Sequence, residues 1–347
     1  MITAFILKNG RLVQSKISSN DDFQKEMIWI DLVDPTEEER ALVEAYYNFE
    51  LPEKAEIKDI EASARFYEDE DGIHVHSFFL NDFGDRVTNV TVAFSIYNGR
   101  LFTLHDEDLS SFRLYRLRAR HPQINDMESV IDVMDILIGL HETAVEHVAD
   151  VLELIYTKLE STSPYVLING NKTEEKEPRK SRRRRQKELE QEEDDELKKV
   201  DMDTILSEIS IQEDINGKAR LSLMDTRRSL SFLLRGRLLT NDQNEDVREI
   251  LRDLESLTSH TSFLFDKVNF LLDAAMGKIS LEQSRIIKIF SIASVVFLPP
   301  TLIASIYGMN FAFMPELNFR YSYPLSIGLM FLSGIAPYLL FKRKGWL

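Results

Sequence analysis

Apolar residues are spread unevenly along this chain, and two uninterrupted runs stand near its end. Residues 289–307 read IFSIASVVFLPPTLIASIY and residues 323–341 read YPLSIGLMFLSGIAPYLLF, with no charge in either. Each run is 19 residues long. As a helix that is roughly 28 Å, close to the roughly 30 Å hydrocarbon core of a bilayer. Two membrane spans are therefore expected, with two buried core helices as the alternative. Basic residues flank the runs unequally. Arg285 and Lys288 precede the first, Lys342, Arg343 and Lys344 follow the second, and Arg320 is alone in the connector. The positive-inside rule then places both termini in the cytoplasm and the connector outside. Tyr321, Tyr323 and Trp346 stand where interfacial aromatics are expected.

Upstream the pattern is that of a mixed α/β unit. Alternating stretches rich in Val, Ile and Phe predict strands at 4–8, 27–32, 74–80, 90–96 and 101–104, and Asn9-Gly10 predicts a turn into a further strand. A helix is expected over 36–48, with Asp34 as its cap, Pro35 in first position and acids in the first turn. From 125 to about 159, Val130, Val133, Leu137, Leu140, Ala144, Val148, Val151 and Ile155 recur at steps of three and four, the helical period. Helix resumes near Met202 and runs to about Leu239. A turn follows at Thr240, Asn241 and Asp242, and a second helix starts near Asn244. Its seam, Ile250, Leu254, Leu257, Thr261, Leu264, Val268 and Leu271, resembles a coiled-coil stripe. This helix either continues unbroken to Tyr307 or breaks near Gly277, where Ser280 and Gln283 form a capping-box-like pair.

The expected fold class is α+β: a cytoplasmic α/β and helical domain (1–242), a stalk helix (243–288), a first span (289–307), an external loop (308–322), a second span (323–341) and a basic tail (342–347). Residues 171–199 interrupt the domain. This insertion is almost entirely charged, with a basic block at Arg182–Arg185 followed by an acidic one. It holds too little apolar surface to fold alone. A solvated insertion in a helical hairpin and a lipid- or partner-binding tail are the two readings.

Composition narrows the function. Acids outnumber bases 58 to 42 and the net charge is -16. Nucleic-acid binding, which needs the opposite sign, loses weight, and attraction of cations gains it. The chain has no cysteine, which excludes disulfides and thiolate metal sites. His74 and His76 face the same way on a strand and are candidates for a transition metal, or else ordinary core histidines. No phosphate-binding Gly loop or nucleophile elbow is present, so a membrane-anchored enzyme is a weak alternative.

Candidate chemistry concentrates around the first span. Ser284, Ile287, Ser291, Ser294, Leu298, Thr301 and Ser305 lie at steps of three and four, and five of the seven carry hydroxyls. Copies around a symmetry axis would line a pore with this face. The alternative is that small residues let helices pack closely. Pro299 and Pro300 cannot donate to the carbonyls of Val295 and Val296. No Asp, Glu, Lys or Arg lies in either span, which argues against a proton relay and against a site that strips a divalent cation bare. Passage of a largely hydrated cation fits better. The loop begins SIYGMNFAFMPEL, where Asn310 offers a neutral oxygen, Gly308 a close backbone approach and Glu316 the only acid.

YGMNF followed by MPEL between two C-terminal spans resembles the CorA family of magnesium transporters. KDIEASARF (58–66), GRLFTL (99–104), FRLYR (112–116), LMDT (223–226), EILRD (249–253), KVNFLL (267–272) and RIIKIFSIASVVFLPPTLIAS (285–305) extend the likeness over nearly the whole chain. The resemblance implies a homopentamer in a bacterial inner membrane, shaped as a funnel with five first spans around the pore. Lipid and divalent cations are then the partners. It implies that Gly308, Met309 and Asn310 form the outer selectivity filter, that Thr301 and Ser305 are polar pore positions, and that Ile287, Phe290 and Leu298 match an apolar constriction. It further implies that Mg2+ is both transported and regulatory, bound by acids between subunits to hold the pore shut. Asp82, Asp85, Glu249 and Asp253 are the nearest matches. Three departures stand out: the charged insertion, Ala312 where relatives often carry an acid, and Ser284 where an Asn is common. A zinc, cobalt or nickel transporter of the same architecture, including an exporter, is the main rival.

Overall fold

The computed structural model describes residues 1–8, 11–17, 19–53, 65–70, 72–83, 86–120, 132–167, 202–309, 315 and 321–344. Residues 1–272 and 273–347 form two compact units.

The first unit is built on a mixed sheet. β1 (Ile2–Lys8) pairs antiparallel with β2 (Arg11–Ile17), bringing Lys8 opposite Arg11, and with β3 (Met27–Val33) on its other side. The turn expected at Asn9-Gly10 lies outside the described residues. The remaining strands are β4 (Phe66–Asp69), β5 (Gly72–Phe83), β6 (Arg86–Tyr97) and β7 (Arg100–His105), and the sheet order is β2-β1-β3-β7-β6-β5-β4. Among the described strands only β3 and β7 run parallel. A parallel pair needs a long connection, and here it carries α1 (Glu37–Tyr47) and the β4–β6 meander. All five interior strands read from the alternating pattern are present. β4 was missed because FYED is too short and too charged to show a period.

β3 reads MIWIDLV because the sheet is covered on both faces. On one face Ile30 and Leu32 pack with Val43 of α1, Phe49, Phe102 and Leu104. On the other, Trp29 stacks on Phe5 at 4.3 Å and meets Phe112 and Tyr115 of α2 (Ser110–Arg120). Behind α2 come α3 (Val133–Leu167) and α4 (Met202–Arg235), with α2 against α3, α3 against α4, and α4 against β5. Residues 125–131 of the expected helix lie outside the described residues. His141 of α3 is fully buried, donates from Nδ1 to the Leu137 carbonyl at 2.8 Å and accepts at Nε2 from Ser229 of α4 at 2.9 Å. Burial pushes it down to about 4, so it stays neutral and links the two helices.

Helix starts differ from the sequence reading for a definable reason. α1 is capped by Thr36, not Asp34: Thr36 Oγ1 accepts from the Glu39 N–H and Glu39 accepts from the Thr36 N–H. Asp34 is instead left-handed, at φ 39°, and its N–H donates to His105 O. α5 likewise starts at Asn241, because Thr240 and Gln243 close the same reciprocal box. α4 ends early, at Arg235, with Gly236 N–H on Phe232 O and Arg237 at φ 55°.

α5 (Asn241–Tyr307) is a single helix of 67 residues, about 100 Å long at 1.5 Å per residue. There is no break at Gly277. Ser280 donates back to Met276 O at 3.0 Å instead of capping forward, so no new helix start forms. Ile250, Leu254, Thr261, Leu264, Val268 and Leu271 of the expected seam are buried, and Leu257 is half-buried. Asn216 of α4 donates to Thr261 O at 2.9 Å across that seam.

Beneath α2, a buried polar group holds the sheet. Asp31 accepts from Thr103 Oγ1 at 2.7 Å, faces His105 Nε2 at 2.9 Å and accepts from Arg116 at 3.0 Å. Burial alone would raise the Asp31 carboxyl, but His105 and Arg116 outweigh it and hold it below its ordinary value. Burial alone would lower His105, but the Asp31 carboxylate outweighs that and raises it. A depressed acid stabilises above its unfolded value and loses that contribution as pH falls through the folded one; a raised histidine stabilises below its unfolded value and loses it as pH rises. Asp31→Asn should therefore lower the unfolding midpoint most between pH 3.8 and 6.5, and less on either side. A pH series of thermal unfolding on parent and variant checks this; a pH-independent difference would contradict it.

The second unit contains the C-terminal part of α5 and α6 (Ser322–Arg343). Among the described residues these two helices alone are long and apolar enough to cross a membrane. Their apolar windows are 0% and 6% buried within the chain, unlike core helices.

Candidate functional site

Within residues 273–347, coverage along α5 separates two faces. Ile292, Ala293, Val296, Pro299, Pro300, Ile303 and Tyr307 are partly covered. Gly334 of α6 sits on this stripe, where a Cβ would lie 3.4 Å from Pro300 Cγ and 3.4 Å from Val296 O. Ser284, Ile287, Ser291, Ser294, Leu298, Thr301 and Ser305 are all exposed. At about 100° per residue the two sets lie about half a turn apart. The hydroxyl face is thus not what the second span packs against.

The hydroxyls have a fixed polarity. Ser284 donates to Ser280 O at 2.8 Å, Ser294 to Phe290 O at 2.9 Å, and Thr301 to Leu298 O at 2.9 Å. A carbonyl can only accept, so the protons of these three hydroxyls are turned back into the helix. At Ser284, Ser294 and Thr301 oxygen lone pairs face outward, interleaved with the exposed apolar side chains of Ile287, Phe290 and Leu298. Such a face accepts hydrogen bonds from water, including water around a cation, without presenting a full charge.

At its C-terminal end, Gly308 closes α5: its N–H reaches Ala304 O at 3.0 Å and Ser305 O at 3.2 Å, and Met309 N–H reaches Ile306 O at 3.2 Å. A Cβ on Gly308 would stand 3.3 Å from Ala304 O. The constraint there is crowding against the last helical turn, not a left-handed backbone, since among the described glycines only Gly72 and Gly99 have a positive φ. Asn310 and Glu316 lie outside the described residues, as do Asp85 and the insertion 171–199.

The regulatory candidates have ordinary surroundings within one chain. Asp82 accepts from Ser110 at 3.0 Å and faces His147 Nε2 at 3.2 Å. Glu249 and Asp253 are exposed one helical turn apart on α5. Among the described residues no three His, Asp or Glu side chains gather as a metal site. The His74–His76 pair fares no better. His74 faces Ser95 at 3.0 Å and Asp69 at 3.3 Å, while burial first, then Arg65 and His74, push His76 down to about 4.

Sequence reasoning passed over two further features. Gly334 looks like any small residue in a span, and its contact with the proline step depends on the register of two helices. The reciprocal cap at Thr240 was legible in principle, as Thr-x-x-Gln.

Comparison with known proteins gives a consistent picture. The family model for the CorA-like Mg2+ transporter protein matches residues 24–181 and 180–343. The magnesium transport protein CorA of Pectobacterium atrosepticum is 48% identical over 348 residues, covering 100% of both chains. That of Escherichia coli strain K12 is 47% identical with the same coverage. Among solved structures, the complete CorA magnesium transporter of Methanocaldococcus jannaschii matches with a TM-score of 0.74 at 19% identity, covering 100% of this chain and 99% of that one.

Proposed function

Because the chain belongs to the CorA-like Mg2+ transporter family, we propose that it conducts Mg2+ into the cytoplasm down its electrochemical gradient. The observation that carries this reading is the outward-facing oxygen stripe of α5, which lies opposite the second span and contains no charge. Mg2+ releases its water reluctantly. A row of neutral acceptors suits an ion that keeps its shell, because binding stays weak enough for release.

In this reading five copies surround an axis as a homopentamer in the inner membrane, with both termini inside and Gly308, Met309 and Asn310 at the outer mouth. Mg2+ inside the cell would favour the closed state through acids at contacts between copies. No metal-sized cluster forms among the described residues of one chain, and exposed Glu249 and Asp253 are available to a neighbour. Asp82 would have to exchange its Ser110 and His147 contacts for a cation. Loading liposomes with Mg2+ tests this, since unchanged flux would remove the regulatory role.

The central test is magnesium-indicator flux into liposomes holding the purified protein. A divalent ion crossing about 100 mV, inside negative, gains about 4.6 kcal/mol, twice the value for one charge. Uptake is expected to persist without nucleotide and to stop when potential and gradient are collapsed. Flux that requires ATP would overturn the reading. Parallel arms with Co2+, Ni2+ and Zn2+ separate magnesium transport from the zinc, cobalt or nickel alternative.

A further inference from the structure

The proline step in α5 leaves the Val295 and Val296 carbonyls without their helical donors. Gly334 sits at that step. A Cβ there would be in ordinary contact, 3.4 Å from both Val296 O and Pro300 Cγ, so the space admits one carbon and little more. Beside it Ser326 is buried and Ile327, Met330, Ser333 and Pro337 are partly covered, at steps of mostly three and four, so one narrow face of α6 meets α5. Ser326 and Ser333 donate to their own helix, at Tyr323 O and Met330 O, and so do not supply the missing donor. The backbone of α6 at Gly334 therefore shields the Val296 carbonyl from lipid. Half a turn around α5, at nearly the same height, stand Leu298 and Thr301.

We infer that Gly334 is a positioning residue for conduction: by letting α6 close on the proline step, it sets how far the Leu298–Thr301 segment projects on the opposite face. The step is the one place in the span where two consecutive helical hydrogen bonds are missing. Bulk at Gly334 would bend α5 there rather than displace it as a rod. This inference rests on the reading that the hydroxyl face lines the ion path.

The natural absence of cysteine makes a clean test available. Thr301→Cys and, on the far side of α6, Leu332→Cys are each reconstituted in liposomes and treated with a water-soluble thiol reagent. Thr301→Cys is expected to react and Leu332→Cys to resist. If Thr301→Cys is inert, the ion-path reading fails, and this inference with it. Gly334→Ala, Gly334→Leu, Pro300→Ala and the double variant are then compared for Mg2+ flux per intact oligomer, and for thiol reactivity in the Thr301→Cys background. Gly334→Ala should keep flux within about twofold, because its Cβ fits, whereas Gly334→Leu should lower flux and shift Thr301→Cys reactivity by about tenfold, as overpacking does. Pro300→Ala returns an N–H to Val296 O and removes the ring, so Gly334→Leu should have a much smaller effect in that background. An equal effect in both backgrounds, or no effect of Gly334→Leu on flux and reactivity, overturns the inference while leaving the ion-path reading intact. Failure of both Leu-containing proteins to assemble also overturns it, since bulk then acts on assembly and not through the proline step.

Discussion

Asn310→Ala is expected to abolish Mg2+ uptake while leaving the protein folded, inserted and oligomeric. The loop needs polar groups only because it leaves the membrane, and many residues would satisfy a connector. A neutral amide carbonyl at the end of an oxygen-lined helix face does something narrower. In the proposed reading it would accept a hydrogen bond from the water shell of an arriving cation and let go again. A ring of carboxylates would hold a divalent ion too tightly for conduction. Asn310→Asp should accordingly trap the ion or change ion preference instead of restoring normal flux. Gly308→Ala should impair flux as well, because its Cβ would press on Ala304 O at 3.3 Å. The measurement is indicator flux normalised to intact oligomer. Parental flux from Asn310→Ala would make the loop a connector and move the filter inward to Thr301 and Ser305.

The second large effect concerns folding, not transport. Arg65 and Asp225 form a bidentate pair at 2.7 and 3.1 Å, with both side chains 4% exposed. Asp225 also accepts from the Phe78 N–H at 2.7 Å, and the Arg65 guanidinium lies 4.2 Å from the centre of the Phe78 ring. One carboxylate thus ties the residue before β4 to β5 and α4. Replacing it with an apolar side chain strands a buried guanidinium and an unpaired N–H together. Asp225→Leu is expected to cost about 3–5 kcal/mol, the range for breaking a buried pair from one side. Replacing Arg65 and Asp225 together by Met and Leu should cost less than Asp225→Leu alone, because no charge is then left unpaired. Denaturant unfolding of the full chain in detergent compares the three proteins. Equal losses for the single and double variants would show that packing, not stranded charge, sets the cost.

How much of this was legible in the sequence depended on whether a signal was local. Strands β1, β3, β5, β6 and β7 show apolar alternation or runs of β-branched residues, and the seam of α5 shows a 3-4 spacing, so period alone found them. The hydroxyl stripe was legible for the same reason. Its meaning was not, because spacing cannot say which face a neighbouring helix covers. The partly covered stripe ending in Tyr307, with Gly334 upon it, supplied that. Caps were misplaced where two candidate residues competed. Asp34 and Thr36 both suit a cap, and a tertiary bond to His105 O decided between them. The Asp31, His105 and Arg116 group was illegible, since its members stand far apart in the chain and meet only through the parallel pairing of β3 with β7. Asn310, Asp85 and Glu316 lie outside the described residues, so their roles still rest on motif and chemistry.

That parallel pairing also orders events in time. During synthesis β3 is finished at Val33, but its partner does not begin until Arg100. At roughly 5–20 residues per second the interval lasts on the order of several seconds. The β1–β2 pair and α1 can form meanwhile, yet one long edge of an apolar strand, Met27–Val33, waits open. An open edge invites pairing with another nascent chain. The danger ends when β7 arrives, well before residue 289 is made and the first apolar run exists. The order of the chain thus lets the sheet close before membrane insertion, and a chain stalled between the two would be a completed sheet still unanchored to any bilayer.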